Sequence, residues 1–477
     1  MADYLKIFET QADYDAYIAS DYPKPNVSYI EATDETIFTN YQDAAGQDTI
    51  VESIKVEDYD ATSNYKKEFK LPLVMKSVVI PEGITSIPGQ TFAYMPSMSG
   101  TPNFPLESIQ FPSTLTTLGS SNFCYCTSLT EVDLSGTQIT EIAYDTSGRS
   151  LGMFKGCTAL ESVKLPSTVT TIGGDSFDGC SSLEELSFPS SLTSIGQRAF
   201  YGSGLKSADL SGTSMTGVNG GAFYGGTALE SVTFPSTLQW ITRNDANTAN
   251  QGAFQGCTAL TSVDLSGTAV TNIGYQSFSG CTSLASVTFP STLTAIQASS
   301  FIQCVNLTGA DLSGASLTTI GTSAFQQCGL VSVNFPSTLS AIANAAFQGC
   351  TALTSVDLSG TSVTSVESNT FSGCSSLSSV TFPSTLTEIK ASAFANCTSL
   401  TSVDIPSGVT TIASKAFNGC TALNSVTVRA TTPPTAYGNS FQNNANLVIY
   451  VPAESVETYK AASSWSTYAD KIQAIPA

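Results

Sequence analysis

The sequence predicts a repeat solenoid of about 15 coils of 22–24 residues, with a parallel β-sheet on one face and irregular or short helical return segments on the other. Three observations predict it. A phenylalanine recurs at Phe92, Phe123, Phe154, Phe177, Phe200, Phe223, Phe254, Phe278, Phe301, Phe325, Phe347, Phe371, Phe394, Phe417 and Phe441, and only three of the intervals reach 31 residues. Within an interval the apolar residues keep one order, as in Leu260, Val263, Leu265, Val270, Ile273 and Phe278. Successive copies then alternate between DLSG and FPST, as at Asp264–Gly267 and Phe289–Thr292. A fixed period of this length marks a stacked array, whose coils are stable only against their neighbours.

The coil explains its own shape. Ser262-Val263-Asp264-Leu265 alternates polar and apolar residues, as a short half-buried strand does. In DLSG copies a Ser-Gly-Thr turn leads from Leu265 to Val270; in FPST copies proline fixes a turn one residue shorter, from Phe289 to Leu293. Leu265 and Phe289 are both expected to point inward. The residue before each then faces outward, which puts Asp264, Asp311, Asp357 and Asp404 in one column, interleaved with Thr288, Asn334 and Thr381. Each aspartate is expected to bond its own turn locally. As a ligand-binding column these four are secondary candidates.

Three segments follow in order. Residues 1–75 form an acidic, tyrosine-rich α+β module, with fifteen Asp and Glu against six Lys and eight of the eighteen tyrosines. Thr10–Ile18 reads as a short helix and VSYIE with ETIFT as a hairpin. The module is either a cap on the first coil or a device for attachment and assembly. Residues 76–445 are the solenoid. Residues 446–477 close it with a strand and a helix over Glu454–Ala462, which sets Val456 and Tyr459 on the covering face, with Trp465 and Tyr468 completing the lid.

The unit C-x-x-L-x-x-V-x-[LF]-P-S-x-[LV]-x-x-I-x-x-x-x-F-x-G, repeated along about three quarters of the chain, resembles the BspA-like leucine-rich repeats of bacterial and protist surface proteins. NLVIYVPAESVETYKAASSWSTYADKIQAIP, from Asn446 to Pro476, is similar to the closing segment of such proteins. The resemblance implies a leucine-rich-repeat fold and a non-enzymatic adhesion or receptor-binding surface for a protein or glycan on a host or partner cell, outside the cell or at its surface. Departures are DIPSG at Asp404–Gly408 and the Ser203 and Gly226 that replace cysteine. DYLKIFETQADYDAYIASDYPKPNVSYIEATDETIF, near the N-terminus, is similar to leader segments of structural proteins of Bacteroidetes phages. This implies the alternative of an architectural spacer or decoration protein of a phage virion.

Composition narrows the chemistry. Net charge is −20 with no histidine among 477 residues, which opposes nucleic-acid phosphates and anionic membranes. No apolar run is long enough to insert into a bilayer. The start MADYLKIF lacks a charged segment followed by an apolar one. The expectation is therefore an export signal already removed, or another route to the chain's destination. Without histidine there is no Ser-His or Cys-His nucleophile and no HExxH metal site, and neither catalytic residues, metal nor cofactor are expected. A carboxylate pair for glycoside hydrolysis needs a unique cleft that a repeating column does not make. Eleven of the twelve cysteines share one repeat position, Cys124 being apart. Buried free thiols are expected there, with pairing between neighbouring coils as the alternative.

Binding candidates come from places where the repeat breaks. Trp240 stands where other coils carry Ala295, Ala341, Glu388 or Thr411, and the polar insertion Thr242–Gly252, with Arg243 and Asn244, follows directly. A second insertion carries Tyr144 and Arg149, and a third Tyr94 and Met95. Tryptophan, tyrosine and arginine are enriched at binding hot spots, and inserted loops on repeat arrays often line the binding face. The bland alternative is that Trp240 serves only to hold its own loop.

Overall fold

Three residues of alternating polarity suffice for the first strand of a coil, because the neighbouring coil supplies its hydrogen bonds. Ser262–Asp264 exposes, buries and exposes its residues in turn, and pairs in parallel with Ser286–Thr288, Val263 opposite Val287. The computed structural model describes residues 4–8, 27–33, 36–42, 48–55, 77–80, 83–87, 89, 91–92, 106–144, 152–242 and 251–476. The chain divides into two units, Met1–Ser214 and Met215–Ala477.

In the first unit, strands β1 (Tyr4–Phe8), β2 (Val27–Thr33), β3 (Thr36–Gln42) and β4 (Asp48–Lys55) form a sheet in the order β4-β3-β2-β1. The expected hairpin is the antiparallel β2–β3 pair, closed at Thr33 opposite Thr36. Strand β1 pairs in parallel with Ser77–Val79, which pairs in turn with Ser108–Gln110, so this sheet runs into the first coils. The expected helix at Thr10–Ile18 lies outside the described residues.

Both units carry the same interior. The phenylalanine rings stack face to face, from Phe92 to Phe200 in the first unit and from Phe223 to Phe441 in the second. Phe254 and Phe278, for example, have centroids 5.3 Å apart and planes 3° apart. Backbone register sets this spacing, since strands lie about 4.8 Å apart. The return segment is more ordered than an irregular or helical one. Two-residue strands form a second parallel ladder, which in the second unit runs through Gly217–Val218, Trp240–Ile241, Asn272–Ile273, Ala295–Ile296, Thr319–Ile320 and Ala341–Ile342. Strands this short leave no periodic trace in a sequence.

The two turn types differ by more than length. In DLSG copies Leu265 is buried and its carbonyl accepts from Thr268 N at 3.0 Å. In FPST copies the buried residue is Pro290, whose carbonyl accepts from Leu293 N at 3.1 Å. Phe289, expected inward, is only half-buried. It stands edge-on to Phe301 of its own coil, at 6.0 Å and 85°. Leu265 N donates to Thr288 O at 2.9 Å, which closes the pair of strands at that end. The first strands of the second unit pair in twos up to Ser379–Thr381. The hybrid DIPSG coil restores continuity: Ser402–Ile405, Ser425–Val428, Val448–Val451 and Ile472–Ala474 form one four-stranded sheet.

The closing segment starts its helix slightly late, with a 3-10 turn at Ala453–Ser455 followed by helix Val456–Ala461. Tyr459 and Trp465 are fully buried and Tyr468 nearly so. Tyr459 Oη donates to Ala430 O and Trp465 Nε1 to Pro434 O, both at 2.7 Å. Tyr468 meets Phe441 edge-on at 5.5 Å, ending the ring column.

Candidate binding surface

The aspartate column is exposed, and its carboxylates are engaged, three of them by the serine turns of their own coils. Asp264 Oδ1 accepts from Ser266 N at 2.9 Å. Asp311 Oδ1 accepts from Ser313 N at 3.2 Å and Ser313 Oγ at 2.7 Å. Asp357 Oδ1 accepts from Ser359 N at 2.9 Å. The backbone N–H of Ser266, and then its hydroxyl, hold the Asp264 carboxyl below the usual range; at Asp311 the Ser313 hydroxyl leads. Asp404 precedes Ile405-Pro406, has no serine turn, and pairs with Arg429 Nη2 at 2.6 Å. These are structural roles repeated coil by coil. Aspartates of this column also stand two coils apart, on the order of 10 Å, too far to converge on one ion or one sugar bond.

The insertion after Trp240 is stapled at its base. Thr242 is buried, takes a left-handed φ of 56°, and its Oγ1 accepts from Ala253 N at 2.8 Å. Trp240 is partly exposed and lies across Gly217 of the preceding coil, where a Cβ would overlap the indole ring. Gly217 is itself buried. The indole thus has a partner that sequence reasoning missed. The signal was present, because Gly217 alone among the second ladder's outward positions in this unit is a glycine. Arg243 and Asn244 lie outside the described residues.

In the first unit Tyr144 is 38% exposed and forms an antiparallel bridge with Gly152, which closes the base of its insertion. Its ring rests on Gly174, where a Cβ would come within 3.3–3.4 Å of it. Beside this base lies a charged cluster that the sequence reading did not single out. Lys155 Nζ is 2.7 Å from Asp178 Oδ2 and 3.4 Å from Asp175 Oδ1, and Arg198 Nε is 3.2 Å from Asp175 Oδ1. The Arg198 guanidinium sits 4.0 Å from the Tyr201 ring centroid. Burial holds the Asp175 carboxyl above the usual range despite Lys155. Burial also opposes the charges of Lys155 and Arg198, but the two aspartates outweigh it and raise both. The cluster is charge-balanced and internally bonded. Its sequence signal is charge at positions flanking the column phenylalanine, where Phe278 has Gln276 and Ser279. Arg149, Tyr94 and Met95 lie outside the described residues.

The cysteines are free and buried. Their column has a bonding logic: each thiol reaches the carbonyl of the phenylalanine one coil back, as Cys304 Sγ does to Phe278 O at 3.2 Å and Cys157 Sγ to Phe123 O at 2.9 Å. Asn444 Nδ2 takes the same place against Phe417 O at 3.0 Å. Burial pushes the Cys281 and Cys374 thiols up to about 12. Cys124, outside the column, is also raised to about 12 by burial. Among the described residues no group of three or more Cys, Asp or Glu is placed to hold a metal ion, and no helix is long and apolar enough to cross a membrane.

The sequence model for the BspA type leucine rich repeat region matches residues 62–146, 150–245, 241–354 and 342–463. The chain belongs to the BspA-type leucine-rich-repeat family. Its structure is similar to that of a leucine-rich repeat protein from Bacteroides ovatus, with a TM-score of 0.62 at 22% identity over 96% of this chain and all of that one. Lower matches are a leucine-rich repeat protein from Eubacterium ventriosum (TM-score 0.39, 23% identity, 72% of this chain and 82% of that one) and a leucine rich cell surface protein from Faecalibacterium prausnitzii (0.34, 22%, 96% and 100%). No curated protein sequence matches the chain. At these identities the likeness speaks to the fold. BspA-type and other leucine-rich repeat proteins are generally non-enzymatic scaffolds for protein interaction or adhesion.

Proposed function

We propose that this chain is an adhesion or receptor-binding protein of the cell surface or extracellular space, recognising a protein or glycan on a host or partner surface through the solenoid and its inserted loops. The observation that carries the reading is the interruption of a monotonous polar surface at Trp240, where a large aromatic residue and an insertion break the repeat together. A spacer needs no such break. The outward positions around it are serine, threonine, alanine and amides, which suits a surface built to be read by contact rather than by strong charge. Residues 1–75, whose strands join the sheet of the first coils, supply a place for assembly or attachment.

The test is biolayer interferometry of the intact chain over immobilised fibronectin, fibrinogen and mucin glycoprotein, with albumin as reference. Saturable binding to at least one of the three, competed by soluble chain, is the expected result. Signals at the albumin level on all three would overturn the reading.

A further inference from the structure

Trp240 does not stand upright on the second ladder, as an isolated aromatic side chain would. It reclines over Gly217, its register partner one coil earlier, and that position tolerates no side chain beneath the ring. The pair is a plate: an indole ring laid over a glycine that leaves room for it. The other tryptophan, Trp465, is fully buried in the C-terminal lid with its N–H bonded to Pro434 O.

The surroundings of the plate are polar and uncharged. Positions 216–217, 239–240, 271–272, 294–295 and 318–319 are Thr-Gly, Gln-Trp, Thr-Asn, Thr-Ala and Thr-Thr, without one charged residue. Gln239 is exposed and Asn272, the register partner of Trp240 on its other side, is half-exposed. Thr271 Oγ1 donates to Gln239 O at 3.4 Å and Thr294 Oγ1 to Thr271 O at 2.9 Å. With those protons committed, the threonine oxygens turn only acceptor lone pairs outward, while the amides offer both donors and acceptors.

An apolar plate ringed by hydroxyl acceptors and amides matches the two-sided chemistry of a pyranose. Its C–H face lies on an aromatic ring while its equatorial hydroxyls donate and accept around the rim. Anionic sugars are disfavoured by a chain of net charge −20 with no cation among the described residues of this patch. We propose that Trp240 on Gly217, with Gln239, Asn272, Thr271 and Thr294, is a subsite for a neutral oligosaccharide. This deepens the adhesion reading and rests on it.

The test titrates the full chain with cellohexaose, mannohexaose, laminarihexaose and chitohexaose by calorimetry, with acrylamide quenching of tryptophan as a second readout. Because Trp465 is buried, a change in quenching reports Trp240. At least one hexaose is expected to bind and shield Trp240 from acrylamide. Trp240→Ala should weaken that binding about tenfold or more, and Trp240→Phe should retain part of it, with circular dichroism unchanged. Asn272→Ala, which leaves the plate in place, should weaken binding by a smaller factor. Absence of binding to all four hexaoses, or equal affinity in Trp240→Ala, would overturn the subsite. If the chain still binds a glycoprotein in either case, the subsite alone falls. If it binds neither hexaose nor glycoprotein, the adhesion reading falls with it.

Discussion

Asp264 and Cys304 show how a repeated residue is used at its own scale. Ser266 and Ser313 stabilise the ionised forms of Asp264 and Asp311, so the folded-state pKa lies below the ordinary 3.8. The sign follows: these turns contribute stability above the unfolded value and lose it as pH falls through the folded one. Thermal midpoints measured from about pH 6 down to about pH 2 should drop, and Asp311→Asn should make the drop shallower. An identical acid profile in that variant would count against the turn bonds. Cys304 and its column mates are buried donors, which predicts inert thiols. Ellman's reagent should find almost none in the native chain and all twelve in denaturant without reductant. Rapid native labelling, or a shortfall in denaturant, would contradict it. The column was legible as small and buried because Ser203 and Gly226 share it. Its hydrogen bond to the previous coil was not, since that contact exists only between stacked copies.

Among elements, the coil is held by its ring stack and by left-handed turns on either side of it. Gly280, two residues after Phe278, has φ 71°, and a Cβ there would meet nothing closer than 3.9 Å. Gly280→Ala should therefore destabilise through the backbone alone, by roughly 1–2 kcal/mol. Unfolding in urea measures it, and a neutral variant would refute the conformational argument. The C-terminal lid should behave as a core element: Trp465→Ala removes a fully buried ring and a hydrogen bond and should cost about 3–5 kcal/mol. A loss below 1 kcal/mol would mean that the last coil needs no cover. The period, the phenylalanine column, the first strand and the lid were all legible, because each repeats or breaks a visible apolar pattern. The second ladder was not, because two-residue strands have no period. Nor was the exchange of Phe289 for Pro290 at the inward place, because it goes with an edge-on contact between Phe289 and Phe301 that only the folded coil makes. The Trp240–Gly217 plate was half legible: the tryptophan stood out, but its glycine lies 23 residues earlier and means something only in register.

For the molecule as a whole, family membership points toward recognition, and the acidic balance makes salt a useful probe. Binding that rests on a neutral, aromatic and amide surface should weaken little as salt is raised from about 0.05 to about 0.5 M, whereas attraction to a basic partner through the acidic residues should collapse. Repeating the interferometry across that range separates the two. The most direct measurement of the central claim is hydrogen–deuterium exchange of the intact chain, free and saturated with whichever of fibronectin, fibrinogen or mucin it binds. The account predicts added protection in peptides of the solenoid, including the segment that holds Trp240. Protection confined to residues 1–75, with the coils unchanged, would contradict it.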